Sequence, residues 1–431
     1  MWRTLFHIPS EIAGIPTFGA GLLLAAWCGL SVVLMVWLVR RQGFTADTWG
    51  YVPLLALVAA AIWLVLPRLT DARGLPIRGF GLMLLLAVLS AVGLAARRAR
   101  RLGIEVDLVY TLAFWALVPG ILGARLFYVI QKWPEDFAPI YQQQGLGALL
   151  GSLANIAQGG IVFYGSLIGG LAGLVAFVIR YRMPLLATFD LLTPSLMLGL
   201  AVGRLGCFLN GCCFGGACDL PWAVSFPAAS PPHVQEVYRG EAFVFGLKIG
   251  DGPQAAAVIT DVLPGSPAAR QGLAPGQTIA SVGSHEVFTA DQVRWFLLHA
   301  ADSNEPVEVA VQSGGEFLIA TLTGPAGKSA PAHPTQLYSA LNALLLCLFF
   351  LAYAPLARRD GELWALLLSI YPVTRFLLEV IRTDEGAVFG TGMTISQNVS
   401  LLLLVVAAAT WFYVLRKPPV RAFLRASPQT A

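Results

Sequence analysis

At 431 residues, with 57% hydrophobic and 12% charged side chains and a mean hydropathy of +0.70, the chain is too apolar for a water-soluble protein, and the bilayer is expected to be its main solvent. The formal net charge of +4 comes from basic residues scattered over loop ends with no basic face, which argues against nucleic acid as a partner.

A helix needs roughly 20 mostly apolar residues to cross the hydrocarbon core. Stretches of that kind run over 15–39, 50–67, 78–96, 106–130, 160–179, 187–209, 335–354, 362–381 and 395–415, which predicts nine spans. The first is too long for a signal-peptide core, ends in Arg40 and Arg41 and lacks a small-residue cleavage site, so it reads as a retained helix. Arg40 and Arg41, then Arg97, Arg98, Arg100 and Arg101, then Arg180 and Arg182, Arg358 and Arg359, and finally Arg416, Lys417, Arg421 and Arg425 follow alternate spans. Positive residues are held on the cytoplasmic side, so the N-terminus is expected outside and the C-terminus inside. The pieces from Gly14 to Gly19 and from Gly74 to Gly81 share a Gly-x-Pro start, through duplication or through the common demands of an entering helix.

Between the sixth and seventh spans, over about 120 residues, charge rises, long apolar runs vanish and short alternating segments appear. This predicts a soluble domain outside the membrane. Phe245-Gly246-Leu247-Lys248-Ile249 is followed by Val258 to Val262, Pro264-Gly265-Ser266-Pro267, Gly272-Leu273 and Gly276 to Ile279, ahead of an amphipathic helix near 289–300. That order resembles a PDZ domain over 243–324. The resemblance implies that Gly246, Leu247, Lys248 and Ile249 accept a peptide as an added strand. Pro325 to Ala332 reads as a linker back to the membrane.

Two stretches carry ionisable groups at membrane depth. The first runs Gly203-Arg204-Leu205-Gly206-Cys207-Phe208-Leu209-Asn210-Gly211-Cys212-Cys213-Phe214-Gly215 at the outer end of the sixth span. An Arg at the centre of a membrane helix costs roughly 2.5 kcal/mol or more, and it calls for an anion or a wet cavity. In the second, Tyr371, Arg375, Glu379 and Arg382 recur at helical spacing and share one face. Cys28 and Cys347 lie within spans and read as small apolar residues. Cys207, Cys212, Cys213 and Cys218 cluster at the outer end of the sixth span; the adjacent Cys212 and Cys213 are poorly spaced for zinc, so a disulfide or simple packing is favoured and no metal or other cofactor is expected.

Arg78 to Met83, Gly123 to Tyr128, Gly159-Gly160 to Gly165, Asp190 to Pro194, Gly203 to Gly215, His333-Pro334-Thr335-Gln336-Leu337-Tyr338 and Tyr371 to Arg382 together resemble the prolipoprotein diacylglyceryl transferase family, covering residues 74–415 without the insertion. The resemblance implies transfer of the diacylglyceryl group of phosphatidylglycerol to the thiol of a lipobox cysteine in a prolipoprotein, with release of glycerol phosphate. Arg204 and Arg375 are then the phosphate clamp, because guanidinium groups offer paired hydrogen bonds to phosphate and stay charged. Glu379 holds Arg375, and Arg125, Tyr164, Gly203, Asn210, Gly215, His333, Gln336, Tyr338, Tyr371 and Arg382 are implied to contact substrate. Three positions depart from the family pattern: Tyr164 stands where many members carry a His, Phe80 where Tyr is frequent, and Cys207 where Asn is frequent. A Tyr of pKa about 10 is a poor base for the substrate thiol.

The expected fold is therefore a polytopic α-helical membrane protein of about nine transmembrane helices with an inserted periplasmic α/β PDZ-like domain, seated in a bacterial inner membrane. Its expected parts are an N-terminal extension over 1–72, a membrane domain split into 73–225 and 333–418, the insertion over 240–326, and a cytoplasmic tail over 419–431. Two rivals remain at this point: a paralogous transferase with another lipid or acceptor, and an inactive membrane-held PDZ adaptor.

Overall fold

A computed structural model describes residues 4–70, 74–154, 162–253, 256–303, 305–313, 316–388 and 390–425. Among the described residues, nine helices are long and apolar enough to cross a membrane. The chain divides into two compact units, Trp2–Leu82 with Asp107–Met183, and Met83–Val106 with Pro184–Ala431.

The first unit opens with β1 (Thr4–Ile8), β2 (Glu11–Ile12) and β3 (Ile15–Pro16), so the first span starts at Leu22 and not at 15. Helices α1 (Leu22–Gln42) and α2 (Ala46–Ala60) follow, and α2 continues through a π turn and a 3-10 turn to Leu69. They expose Leu30, Val32, Val33, Leu57 and Trp63, as lipid-facing surfaces do. Strand β4 (Leu75–Arg78) returns to pair antiparallel with β1. Gly74 (φ +116°) makes that return possible, since a Cβ there would sit 2.1 Å from the carbonyl oxygen of Ile8. This pairing joins residues about 70 apart, and neither strand was expected from the sequence.

Helix α3 (Gly79–Arg101) extends past its expected end to include the arginine run, and α4 (Val106–Lys132) leads through a π turn into α5 (Ala138–Ala154). The fourth apolar segment therefore reaches Leu153 rather than ending near 130. Helix α6 (Phe163–Tyr181) packs on α4 through glycines spaced by four, Gly165, Gly169 and Gly173. A Cβ on each would lie 2.3, 2.1 and 1.9 Å from the backbone oxygens of Gly123, Pro119 and Trp115, so only glycine lets the two backbones approach this closely.

In the second unit, α7 (Leu185–Asn210) is the most enclosed span, with Thr188, Asp190, Thr193, Ser195 and Met197 buried. After the short α8 (Pro231–Tyr238), the insertion forms one sheet from β5 (Leu247–Asp251), β6 (Ala257–Val262), β7 (Thr278–Val282), β8 (His285–Glu286), β9 (Val307–Ser313) and β10 (Glu316–Leu322), in the order β10-β9-β7-β6-β5 with β8 beside β7. A one-turn helix α9 (Pro267–Arg270) and the longer α10 (Ala290–Ser303) complete it. Leu247, Ile249, Ile259, Ile279, Val309, Val311 and Leu322 point into its core, where α10 adds Val293, Leu297 and Leu298 at helical spacing. The connections at its base form a two-stranded ribbon, not a free linker: Pro227 bridges Lys328, Val224 and Ala217 bridge Ala332, and Phe226 and Ser329 exchange hydrogen bonds of 2.9 Å.

The remaining spans are α11 (Thr335–Tyr353), α12 (Glu362–Ile381) and α13 (Ile395–Leu415). Helix α12 starts at Gly361, which supplies no side-chain cap. Buried Asp190 of α7 caps it instead, accepting from the backbone N–H groups of Gly361 (2.7 Å) and Trp364 (2.9 Å). Arg98 of α3 in turn donates to the carbonyls of Asp190 and Leu191. Helix α13 begins with a capping box between Thr394 and Gln397.

Candidate functional site

The glycine- and cysteine-rich stretch lies at the C-terminal end of α7. Gly211 (φ +79°) closes the helix in the left-handed conformation, and Cys213 (φ +60°) turns the chain a second time. Gly215 then donates to the carbonyl of His333, Gly216 donates to that of Ile381, and His333 donates back to Gly216, each at 3.0 Å. Residues 215–217 thus run as a strip between the start of α11 and the end of α12. Gly215 has no room for a side chain, because a Cβ would fall 2.6 Å from that of His333. The strip joins three sequence motifs that are far apart along the chain.

Arg204, Arg375, Arg382 and Tyr371 lie within electrostatic reach of one another, and Cys207 and Cys213 lie within reach of Arg204. Two of the three arginines are fastened. Glu379, 2% exposed, forms ion pairs with Arg375 and with Arg382, the latter at 3.0 Å. Arg382 also grips Asp384 through two hydrogen bonds of 2.9 and 2.8 Å, and Arg375 donates to the hydroxyl of Ser396 at 2.8 Å. The second carboxylate oxygen of Glu379 accepts from the Thr394 hydroxyl at 3.2 Å. Arg204, by contrast, has neither a carboxylate partner nor a hydrogen bond among the described residues, so its planar fork is unspent. Such an arrangement presents an anion with one free guanidinium beside two rigid ones.

Other residues singled out in the sequence surround this group. Gln336, fully buried, donates to the Cys212 carbonyl at 2.7 Å, and Thr335 donates to that of Cys213 at 2.6 Å. The Tyr338 hydroxyl accepts from Trp222 at 2.7 Å and lies 3.3 Å from Nδ1 of His333. Asn210 lies beside the Cys212 thiol, and Gly203 lies one residue before Arg204 on α7. Arg125 and Tyr164 belong to the other compact unit. There Arg125 donates to the carbonyls of Ser152 (2.7 Å) and Leu153 (3.0 Å) at the end of α5, with its guanidinium over the rings of Tyr128 and Phe137. Tyr164 sits half-buried in the first turn of α6; Gly159 and Gly160, which the sequence matched as part of its motif, lie outside the described residues.

All six cysteines are unbonded, and Cys28 is exposed. The Sγ atoms of Cys207, Cys212 and Cys213 lie within 4.8 Å of one another, because the left-handed turn brings the adjacent pair to one side. Hydrogen bonding with the Cys207 and Cys212 thiols, together with the Arg204 and Arg382 charges, holds the Cys213 thiol well below its ordinary range, although burial opposes this.

In the insertion, β5 is an edge strand with α10 against it. Its outer edge is already engaged: Leu247 exchanges hydrogen bonds with Val244 (2.9 and 3.0 Å), and Arg294 of α10 donates to the Ile249 carbonyl at 2.6 Å. Gly246 (φ +84°) packs on Ser266, and Lys248 lies over the ring of Phe243. A cleft of about 940 Å³ runs from Gly215, Gly216 and Thr383 to Gly246, Gly265 and Arg270.

Sequence reasoning missed Ser396, Thr394, Asp384 and Trp222, which complete the polar network from other segments. For Thr394 the Thr-x-x-Gln cap was readable, but its contact with Glu379 was not.

A family model described as prolipoprotein diacylglyceryl transferase matches residues 67–413. A relative from Rhodopirellula baltica, named phosphatidylglycerol–prolipoprotein diacylglyceryl transferase, is 33% identical over 96% of this chain and 89% of its own length. Relatives of the same name from Synechococcus elongatus and Clostridium tetani are 34% and 25% identical, over 42% and 79% of this chain and 59% and 94% of their own lengths.

Proposed function

The chain belongs to the prolipoprotein diacylglyceryl transferase family, and from that membership we infer that it transfers the diacylglyceryl group of phosphatidylglycerol to the lipobox cysteine thiol of prolipoproteins, releasing glycerol phosphate. The observation that carries the reading at the level of residues is the unspent fork of Arg204 beside the anchored Arg375 and Arg382. As sulfur bonds to the glycerol carbon, the carbon–oxygen bond breaks and negative charge grows on the departing phosphate. Donors fixed in advance stabilise such charge without reorganising. Arg204 binds the phosphate, Arg375 meets the charge that develops, and Glu379 and Ser396 keep Arg375 from turning away. Tyr371 and Tyr338 supply hydroxyl contacts, and Asn210, Gly203, Gly215, His333 and Gln336 shape the wall. In this reading Arg125 serves the shape of its own unit first, given its contacts to α5.

The protein works in a bacterial inner membrane with the outer ends of α7 and α12 at the periplasmic face, as the alternation of basic loops supports. Residues 240–326 form a PDZ-like module on the same side that retains the protein substrate and takes no part in the chemical step. The cleft between its loop and Gly215 supports that role. A peptide added to β5 would first displace Arg294 from Ile249.

Purified protein in detergent, given phosphatidylglycerol labelled in its acyl chains and a lipobox peptide, should move label to the peptide and release glycerol phosphate in equal amounts. No transfer from phosphatidylglycerol, with transfer from a different phospholipid, would replace the assigned donor.

A further inference from the structure

The transfer reaction needs a thiolate, and a free thiol of pKa about 8.5 is mostly protonated at neutral pH. The groups that act most strongly on Arg204 are Tyr371, Cys213, Cys207 and Arg382, and none of these four is a base suited to that task. What the same place holds in quantity is sulfur.

We propose that Cys207, Cys212 and Cys213 form a three-thiolate zinc site whose fourth position takes the thiol of the acceptor cysteine. Zinc bound by four ligands with Zn–S near 2.3 Å needs sulfur atoms about 3.8 Å apart. The three Sγ atoms already lie within 4.8 Å of one another, so small χ1 adjustments close the set. An adjacent pair ordinarily points its side chains apart, and here the left-handed backbone of Cys213 removes that objection. The scaffold is built: the Cys212 carbonyl is held by buried Gln336, the Cys213 carbonyl by Thr335, and Gly211 fixes the turn from Cys207. Thiolate donors select soft or borderline ions such as zinc.

Charge gives a second, independent argument. Zinc with three thiolates carries a net charge of −1, and −2 once a fourth thiolate binds. Arg204 and Arg382 both act on Cys213 and offset it. Three protein ligands leave one tetrahedral position open, as in catalytic zinc sites.

A thiol that binds the ion gives its proton to water and becomes a thiolate. Its electron pair forms the bond to the glycerol carbon of the lipid, and the carbon–oxygen bond to phosphate breaks with its pair left on the departing glycerol phosphate beside Arg204. The thioether product is neutral and a weak ligand, so it leaves the ion with its three protein thiolates. This second half rests on the transfer reaction inferred above; the metal site itself does not.

The test begins with the intact protein purified without chelator. Elemental analysis should find about one zinc per chain, falling at least tenfold in Cys212→Ser and unchanged in Cys28→Ser, whose thiol is exposed elsewhere. Cobalt exchanged into the wild-type protein should show thiolate charge-transfer absorption, and a lipobox peptide with a free cysteine should shift it where a serine peptide does not. These readings need no turnover and no mutant, so they stand even if Cys212→Ser fails to fold or if phosphatidylglycerol proves not to be the donor. Protein that is metal-free and fully active, cobalt without thiolate bands, or a disulfide within the trio in freshly purified protein would overturn the site. Zinc bound with no response to the peptide thiol would overturn the fourth-ligand role.

Discussion

Of the three arginines near the C-terminal ends of α7 and α12, only Arg375 and Arg382 are paired, among the described residues, with the carboxylates Glu379, Asp384 and Glu385, and that uneven pairing decides how each behaves when changed. Arg375 is held by Glu379 and Ser396 through its fork, so Arg375→Lys keeps a positive charge but loses the paired geometry. We expect kcat to fall roughly 100-fold or more, the scale of losing one preorganised donor, with little change in melting temperature. Activity within threefold of wild type would remove Arg375 from the chemistry. Tyr164→Phe should keep a substantial part of the activity in the same assay, since phenols are poor bases near neutral pH. Complete loss in a folded, lipid-binding variant would make the hydroxyl essential. Much of this residue-level picture was legible: Arg204 stood out as a charge where lipid forbids one, and the spacing of Tyr371, Arg375, Glu379 and Arg382 declared a shared face. Periodicity within one helix cannot, however, report a contact from another segment. Ser396, Thr394 and Asp384 were invisible for that reason, and the close convergence of Cys207, Cys212 and Cys213 was hidden because it depends on the left-handed turns at Gly211 and Cys213, which sequence spacing does not encode.

Beside the apolar packing of α7, α11 and α12, small residues and buried polar atoms fasten several elements to one another. Gly169→Ala places a methyl 2.1 Å from the Pro119 carbonyl oxygen and forces α6 off α4. It should cost about 1–3 kcal/mol by overpacking, read as a lower melting temperature in detergent, while Gly29→Ala on α1 faces open space and should cost nothing. Equal melting temperatures for the two would mean that α4 and α6 do not approach this closely. A second fastening involves α8, where the His233 ring accepts from the Ala229 N–H (3.2 Å) at Nδ1 and donates from Nε2 to the Phe243 carbonyl (3.0 Å). Acceptance at Nδ1 requires the neutral ring, and burial pushes His233 below the ordinary imidazole range although the bond to Phe243 opposes this. The folded state then binds fewer protons than the unfolded one, so this contribution is present above about pH 6.5 and is lost as pH falls below it. Hydrogen exchange in α8 should accelerate between pH 7.5 and pH 5.5 relative to α10 after correction for intrinsic rates; unchanged relative protection would refute it. The nine spans were legible because a membrane imposes length and apolarity on each separately. The β1–β4 pairing and α5 were not, since the first joins distant short strands and the second continues an apolar run past a turn.

At the scale of the whole molecule, the insertion sits on a paired ribbon and shares a cleft with Gly215 and Thr383. Replacing residues 240–326 with a short Gly-Ser linker should leave transfer to a short lipobox peptide largely intact while lowering modification of full-length substrate at low concentration by tenfold or more, as loss of a local binding site with millimolar effective concentration would. Equal loss for both substrates would assign the domain to the architecture of the catalytic centre, and no loss for either would leave it without a role in transfer. The ribbon also bears on how the protein is made. Phe226 and Ser329 meet although 103 residues separate them. At roughly 5–20 residues per second, the ribosome takes on the order of 10 s to travel that distance. Throughout that interval α7 carries Arg204 and its thiols without α11 and α12, the helices that later enclose them. An insertion that folds as it emerges draws Ser329 back to Phe226 before α11 is threaded, so α11 enters the bilayer beside α7 as though only a tight turn lay between them.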